Sequence, residues 1–344
     1  MVSYGPCQFP TLGFVVRRCD EIERFEPEEF WYIEAEVARE LNGEACSVVF
    51  NWALDKMFCQ YTVGFYYMDL IERSKFNPDE PRYYGTIRNV TKKPVTKFKP
   101  KPLSTEDMQK LAITRLRIGA KQVMDLANEL YQKGYISYPR SETNMYNASI
   151  NLKDVVAKME AHERYGQYAC RLLAGAYEAP RNGNKSDNAH PPIYPIKPCD
   201  GGVSPDAKKL HELIVSHFLA QCSSDAKGEE TEIKLDIGGH HFSTKGTVVT
   251  KKNFLEVFYQ PWGGKELPSF SPGEIIECPK VLMKSGTTSP PKYLTEADLL
   301  TQMSKAGIGT DATQASHIQM IQDRMYAYKD QQFIKATPLG TALV

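Results

Sequence analysis

The chain has 344 residues, 42% hydrophobic and 24% charged, an ordinary globular composition with room for two or three domains. Lys plus Arg and Asp plus Glu both number 42, so overall charge points to no nucleic-acid partner and any such signal must be local. The longest apolar run, Leu12 to Val16, falls far short of the roughly 20 residues that cross a bilayer, and nothing near Met1 resembles a secretory leader.

Residues 10–25 are predicted helical: Pro10 opens the segment, and Leu12, Val15, Val16, Cys19, Ile22 and Phe25 recur at helical spacing. From about 29 to 90 the pattern turns to strands. Trp31 to Val37 roughly alternates, Asn42-Gly43 offers a hairpin turn, and Cys46 to Trp52 supplies a return strand. Residues 91–102 hold five lysines, three prolines and no acid, which predicts an extended basic connector; with Phe98 inside it, the same run could also track a DNA backbone. Helix resumes after Ser104, an N-cap with Asp107 three residues on, and again over 118–132, ending at Gly134. Residues 179–204, rich in Pro, Gly and Asn, predict an ordered loop or a short element before a helix over 205–222. Strand-like alternation returns from Glu229 to Lys280. Two helices follow, 296–305 behind a Thr295/Asp298 capping box and 312–326, joined by Gly307-Ile308-Gly309. Eight cysteines, at 7, 19, 46, 59, 170, 199, 222 and 278, form no Cys-x-x-Cys pair. That scatter speaks against a zinc ribbon or a disulfide framework and for a reducing, intracellular setting.

Three segments could carry chemistry. In Gly134-Tyr-Ile-Ser-Tyr-Pro-Arg-Ser-Glu-Thr143, Pro139 restricts Tyr138 to extended backbone, and Arg140 two residues on shares its side of an extended chain. A phenol titrating near 10 is a poor nucleophile at neutral pH; a neighbouring guanidinium would favour phenolate and neutralise a phosphate. A buried Tyr-Pro turn with a surface arginine fits the same spacing. In Arg181 to Ile193, His190 precedes two prolines and could present its ring to a phosphate, or simply be structural. Gly307 to Thr313 opens a helix, where free N–H groups suit a phosphate and an ordinary cap fits equally.

Together the blocks SYGPCQFPTLGFVV (3–16), GYISYPRSETN (134–144), PRNGNKSDNAHPPIYP (180–195) and LTEADLLTQMSKAGIGTDAT (294–313) resemble type IA DNA topoisomerases, and within them the eukaryotic topoisomerase III alpha class. The blocks occur in family order across nearly the whole chain. The resemblance implies an α+β multidomain fold: a β-rich arch (27–102 and 226–292) carrying a helical domain (103–225) with the nucleophile. It also implies a helical base made of 1–26 and 293–344. It implies that Tyr138 attacks a single-stranded phosphodiester to leave a 5′-phosphotyrosine, that Arg140 stabilises the scissile phosphate, and that His190 supports phosphate handling. Gln8, Glu142, Asp187, Asp311 and Thr313 fall in blocks lining the DNA groove.

The resemblance further implies Mg2+ chemistry whose acidic ligands lie in a Toprim domain. No Asp-x-Asp-x-Glu run occurs here, and both ends look like cuts through a larger domain. The expectation is therefore a chain that binds single-stranded DNA and cleaves weakly or not at all without Toprim. A RecQ-type helicase, an OB-fold accessory protein and nuclear residence are implied on the same footing. Ser141 stands where the family usually has Thr, and Pro6 where many bacterial relatives have Arg. The rival readings are a non-catalytic DNA-binding scaffold and a tyrosine recombinase; the latter wants an Arg…His-x-x-Arg…Tyr order that is not present.

Overall fold

The computed structural model describes residues 5–74, 83–278, 280–310 and 313–344. The first helix, α1 (Gln8–Glu23), buries Leu12, Val15 and Val16 on one face. Strands β1 (Glu29–Leu41) and β2 (Glu44–Trp52) then form the expected hairpin, with Leu41 opposite Glu44. Asn42 and Gly43 take φ of 53° and 83°, the turn whose twist matches its flanking strands.

The next segment departs from expectation. Residues Gln60–Ser74 are a helix, α2, laid on the sheet through the fully buried Val63 and Leu70. Its Tyr, Phe and Val content reads as strand, but the two buried positions lie seven apart, two helical turns. Strand β3 (Tyr83–Lys97) follows and absorbs most of the predicted connector. It pairs with β4 (Ala226–Ile237), and that partner carries acids: Lys92 meets Glu229 at 3.6 Å and Lys93 meets Glu230 at 2.8 Å. Pro94 is tolerated because beyond Thr86 the ladder has β4 on one side only among the described residues. With β5 (His240–Lys251), β6 (Ile275–Cys278) and β7 (Lys280–Thr287), these strands make a seven-stranded antiparallel sheet ordered β6-β3-β4-β5-β2-β1-β7.

Between β3 and β4 run the helices. Ser104 caps α3 (Thr105–Leu116) by accepting the Asp107 N–H at 3.2 Å. α4 (Ala120–Gln132) starts after Gly119, which has no side chain to cap it. The cap comes from elsewhere: Glu296, 5% exposed, accepts the Ala120 N–H at 2.6 Å and binds Lys329 Nζ at 2.9 Å. Short helices α5 (Leu152–Lys158) and α6 (Gly166–Arg171) precede α7 (Pro205–Gln221). In the tail, β8 (Leu294–Thr295) leads through the capping box into α8 (Glu296–Lys305), and α9 (Gln314–Asp323) follows. An unpredicted hairpin, β9 (Ala327–Asp330) and β10 (Phe333–Ala336), pairs with β8 before the final α10 (Pro338–Ala342).

Two hydrophobic cores result. One lies under the large sheet and includes Ile33, Phe50, Leu70, Ile233 and Phe242. The other is continuous from Leu12 and Val15 through Val123, Ile214 and Phe218 to Leu299, Ile318 and Ile334. Segments expected in separate domains therefore share one core. Phe254 and Phe258, expected in the arch, also belong to it, because the turn Asn253–Glu256 after β5 folds back against α7.

Candidate active site

Tyr138 sits in an irregular loop that two neighbours hold from opposite sides. The fully buried Thr105 at the start of α3 donates its hydroxyl to the Pro139 carbonyl at 2.9 Å and accepts the Ser141 N–H at 2.7 Å. Its own N–H donates to the Ser141 carbonyl at 2.9 Å. On the other side Ser137 exchanges backbone and hydroxyl bonds with Pro192 and Tyr194, each at 3.0 Å. With their backbone groups satisfied, these residues hold one conformation, and Tyr138 is delivered half-buried, its ring against two others. Tyr131 at the end of α4 meets it edge-on at 5.3 Å, and His190 lies over it at 4.9 Å with the planes 32° apart.

Arg140 is half-buried, and its Nε is enclosed without a hydrogen-bond partner among the described residues. An enclosed guanidinium N–H with no acceptor is costly and is suited to an anion brought by substrate. Ser141 lies next to it, buried, with its hydroxyl 3.5 Å from the His190 carbonyl.

The loop carrying His190 is laced to this one. Asn144 bonds to Lys185 and Gly183 through its backbone, and Asn144 Oδ1 accepts the Lys185 N–H at 2.9 Å. A Cβ at Gly183 would stand 2.1 Å from that oxygen, so only glycine permits the approach. Asp187 completes the seam. Its Oδ1 accepts from the N–H groups of His190 (2.8 Å) and Ala189 (2.9 Å) and from the Thr143 hydroxyl (3.0 Å), and its Oδ2 lies 3.3 Å from His190 Nδ1. Burial alone would raise its pKa; the three donors and the histidine outweigh that and hold it down at about 2.

The other predicted residues are placed elsewhere. Glu142 is exposed beside the loop. Gln8 is buried; it accepts from Arg324 and donates to the Met320 sulfur, tying α1 to α9. Thr313 is exposed and accepts the Thr310 N–H at 2.9 Å, closing the turn before α9. Asp311 lies outside the described residues. No hydrogen bond joins Gln8 or Thr313 to Tyr138, Arg140 or His190 among the described residues. The link between the two clusters is packing: α9 contacts both α1 and α4, and α4 carries Tyr131. Among the described residues no group of three or more His, Cys, Asp and Glu side chains could hold a metal ion. The donor set for Mg2+ is therefore not found there, and no step is assigned to a metal.

A family model described as DNA topoisomerase matches residues 1–344. The chain belongs to the type IA DNA topoisomerases. It is 42% identical over 347 residues to the human protein named DNA topoisomerase 3-alpha, covering all of this chain and 33% of that protein. It is 39% identical over 372 residues to DNA topoisomerase 3 of Saccharomyces cerevisiae, covering 55% of it, and 41% identical over 352 residues to that of Candidozyma auris, covering 53%. The topoisomerase chain thus spans about half the length of these fungal relatives, and less of the human one. The full-length topoisomerase I of Thermotoga maritima shares the fold, with a TM-score of 0.74 at 23% identity over 98% of this chain and 54% of that one.

Sequence reasoning did not single out Thr105, Thr143 or Tyr131 in this topoisomerase chain. Thr105 was hidden behind the cap at Ser104, and Thr143 behind the charge of Glu142. Tyr131 lies in the last turn of α4, seven residues before Tyr138, and only the chain reversal at 133–137 shows that their rings meet. His317 on α9 has a buried Nδ1 without a partner among the described residues, and burial lowers its pKa.

Proposed function

We propose that this chain carries the tyrosine part of a type IA topoisomerase and acts on single-stranded DNA. The observation behind it is the grouping on one braced seam of Tyr138, a histidine ring 4.9 Å from it, and an arginine whose Nε is unsatisfied among the described residues. In this reading Tyr138 Oη attacks the scissile phosphorus; the Tyr–O–P bond forms as the P–O3′ bond breaks, and the phenol's proton ends on the 3′-oxygen. Phosphodiester energy is kept in the 5′-phosphotyrosine, so the reverse step reseals the strand without ATP. Arg140 supplies charge to the phosphoryl oxygens as negative charge builds on them, and His190 handles the phosphate beside the ring. The helical unit with Tyr138 lifts from the base while the sheet unit serves as its arch, and Gln8, Glu142 and Thr313 line the approach of the strand. A RecQ-type helicase and an OB-fold accessory protein as partners, and nuclear residence, belong to the same reading. Among the described residues no helix is long and apolar enough to cross a membrane.

The test mixes the chain with end-labelled single-stranded DNA and Mg2+, with and without an added Toprim domain, and quenches with detergent. A covalent adduct that needs Toprim and vanishes in Tyr138→Phe is expected. An adduct that survives Tyr138→Phe sinks the assignment of the nucleophile, and binding with no adduct even with Toprim present favours the scaffold.

A further inference from the structure

Asp187 falls in a block that suggests contact with DNA, yet its carboxylate is directed inward. Three donors converge on Oδ1 at 2.8 to 3.0 Å. The fourth contact, Oδ2 to His190 Nδ1 at 3.3 Å, has a different consequence. A carboxylate only accepts, so Nδ1 must carry the hydrogen, and the lone pair of a neutral ring then sits on Nε2. The Asp187 side chain is 21% exposed and that of His190 43%, so the acid is the sheltered partner and the ring the accessible one. A carboxylate facing the strand would also repel phosphate.

We infer that Asp187 is a positioning residue for His190, fixing its Nδ1–H tautomer and its ring plane against Tyr138 so that Nε2 is the nitrogen left for the scissile phosphate. The structure holds this aspartate in place through Thr143, 3% exposed, whose hydroxyl donates to Oδ1 and accepts the Asp187 N–H at 3.1 Å. Loss of the proton from Asp187 is complete at neutral pH, so the acceptor is always available. The role in phosphate handling rests on the proposed function; the tautomer does not.

Asp187→Asn is the discriminating change. Its amide oxygen can still take the three donors at Oδ1, but its NH2 cannot accept from Nδ1. Nitrogen-15 spectra of histidine-labelled chain read the tautomer directly, with His190→Gln identifying the resonance among seven histidines. Wild type is expected to show the Nδ1–H form, and Asp187→Asn to lose it while the other histidine signals hold, which controls for folding. In the Toprim-supplemented reaction, adduct formation is expected to fall roughly 100-fold with the Kd for a single-stranded oligonucleotide unchanged, and Asp187→Glu to recover part of the rate. An unaltered tautomer in Asp187→Asn overturns the inference, as does a loss in oligonucleotide Kd that accounts for the whole effect, which would make Asp187 a DNA contact. An altered tautomer with unaltered cleavage leaves the Asp–His pair standing and removes the phosphate-handling role of His190 instead.

Discussion

Strand β3 and the loop around Tyr138 both carry cations that stand out in the sequence, but the fold treats them in opposite ways. Lys92 and Lys93 extend across the ladder to Glu229 and Glu230, so these two lysines of the basic run are neutralised by the strand beside them. Arg140 has the smaller signal, one residue in a mixed segment, yet its buried Nε has no acceptor among the described residues. A cation with its counter-ion in the fold does structural work; under the proposed function, the sheltered Arg140 is the one left for a phosphate.

The contrast can be broken by substitution, and the largest effect is expected at the ring itself. Tyr138→Phe should remove adduct formation by at least about 1,000-fold in the detergent-quench assay, with DNA binding retained. Arg140→Ala should cost about 100- to 1,000-fold in the same assay. The paired change Lys92→Ala/Lys93→Ala should alter cleavage and oligonucleotide Kd by less than about twofold. A large loss of binding in that double variant would mean that β3 meets DNA after all and that pairing does not silence a basic run. The scaffold around the site is tested by stability. Removing Glu296 by Glu296→Ala should lower urea stability by about 2–4 kcal/mol, through the lost cap and the stranded Lys329. Thr105→Val, which leaves the buried Ser141 N–H without its hydroxyl acceptor, should cost about 1–3 kcal/mol.

The smallest effect is a pH dependence. Asp187 titrates at about 2 in the folded chain, below its unfolded value near 3.9. Its contribution, on the order of 2 kcal/mol, is therefore complete above about pH 4 and disappears as the pH falls toward 2. The stability difference between wild type and Asp187→Asn, followed by denaturant midpoints from pH 6 downward, should shrink over that window. A constant difference would mean that the carboxylate is not held ionised by its donors.

Much of the fold is legible without coordinates where a local rule acts alone. The Asn42-Gly43 hairpin, the Ser104 and Thr295 caps and the helices 205–221 and 296–305 follow from turn and capping chemistry within a few residues. Helix α2 is not legible in this way: Phe65, Tyr66 and Tyr67 favour extended chain locally, and burial of Val63 and Leu70 against the sheet decides otherwise. Strand β3 looks like a linker until Glu229, Glu230 and Glu232, more than 130 residues later, are set beside it. At the site, Tyr138, Arg140 and His190 stand out by type and spacing. The hydroxyls of Thr105 and Thr143 do not, since a threonine signals nothing until the backbone groups it satisfies are known.

One contact gives the molecule a history as well as a shape. The amide at the head of α4 finds its acceptor in Glu296, 176 positions downstream. During synthesis at about 5–20 residues per second, the helix that carries Tyr131 waits roughly 9–35 s for that carboxylate to emerge. Until then the ring that meets Tyr138 edge-on stands on a helix with an open end. A nascent chain therefore completes the support of Tyr138 only when the tail has been made and docked.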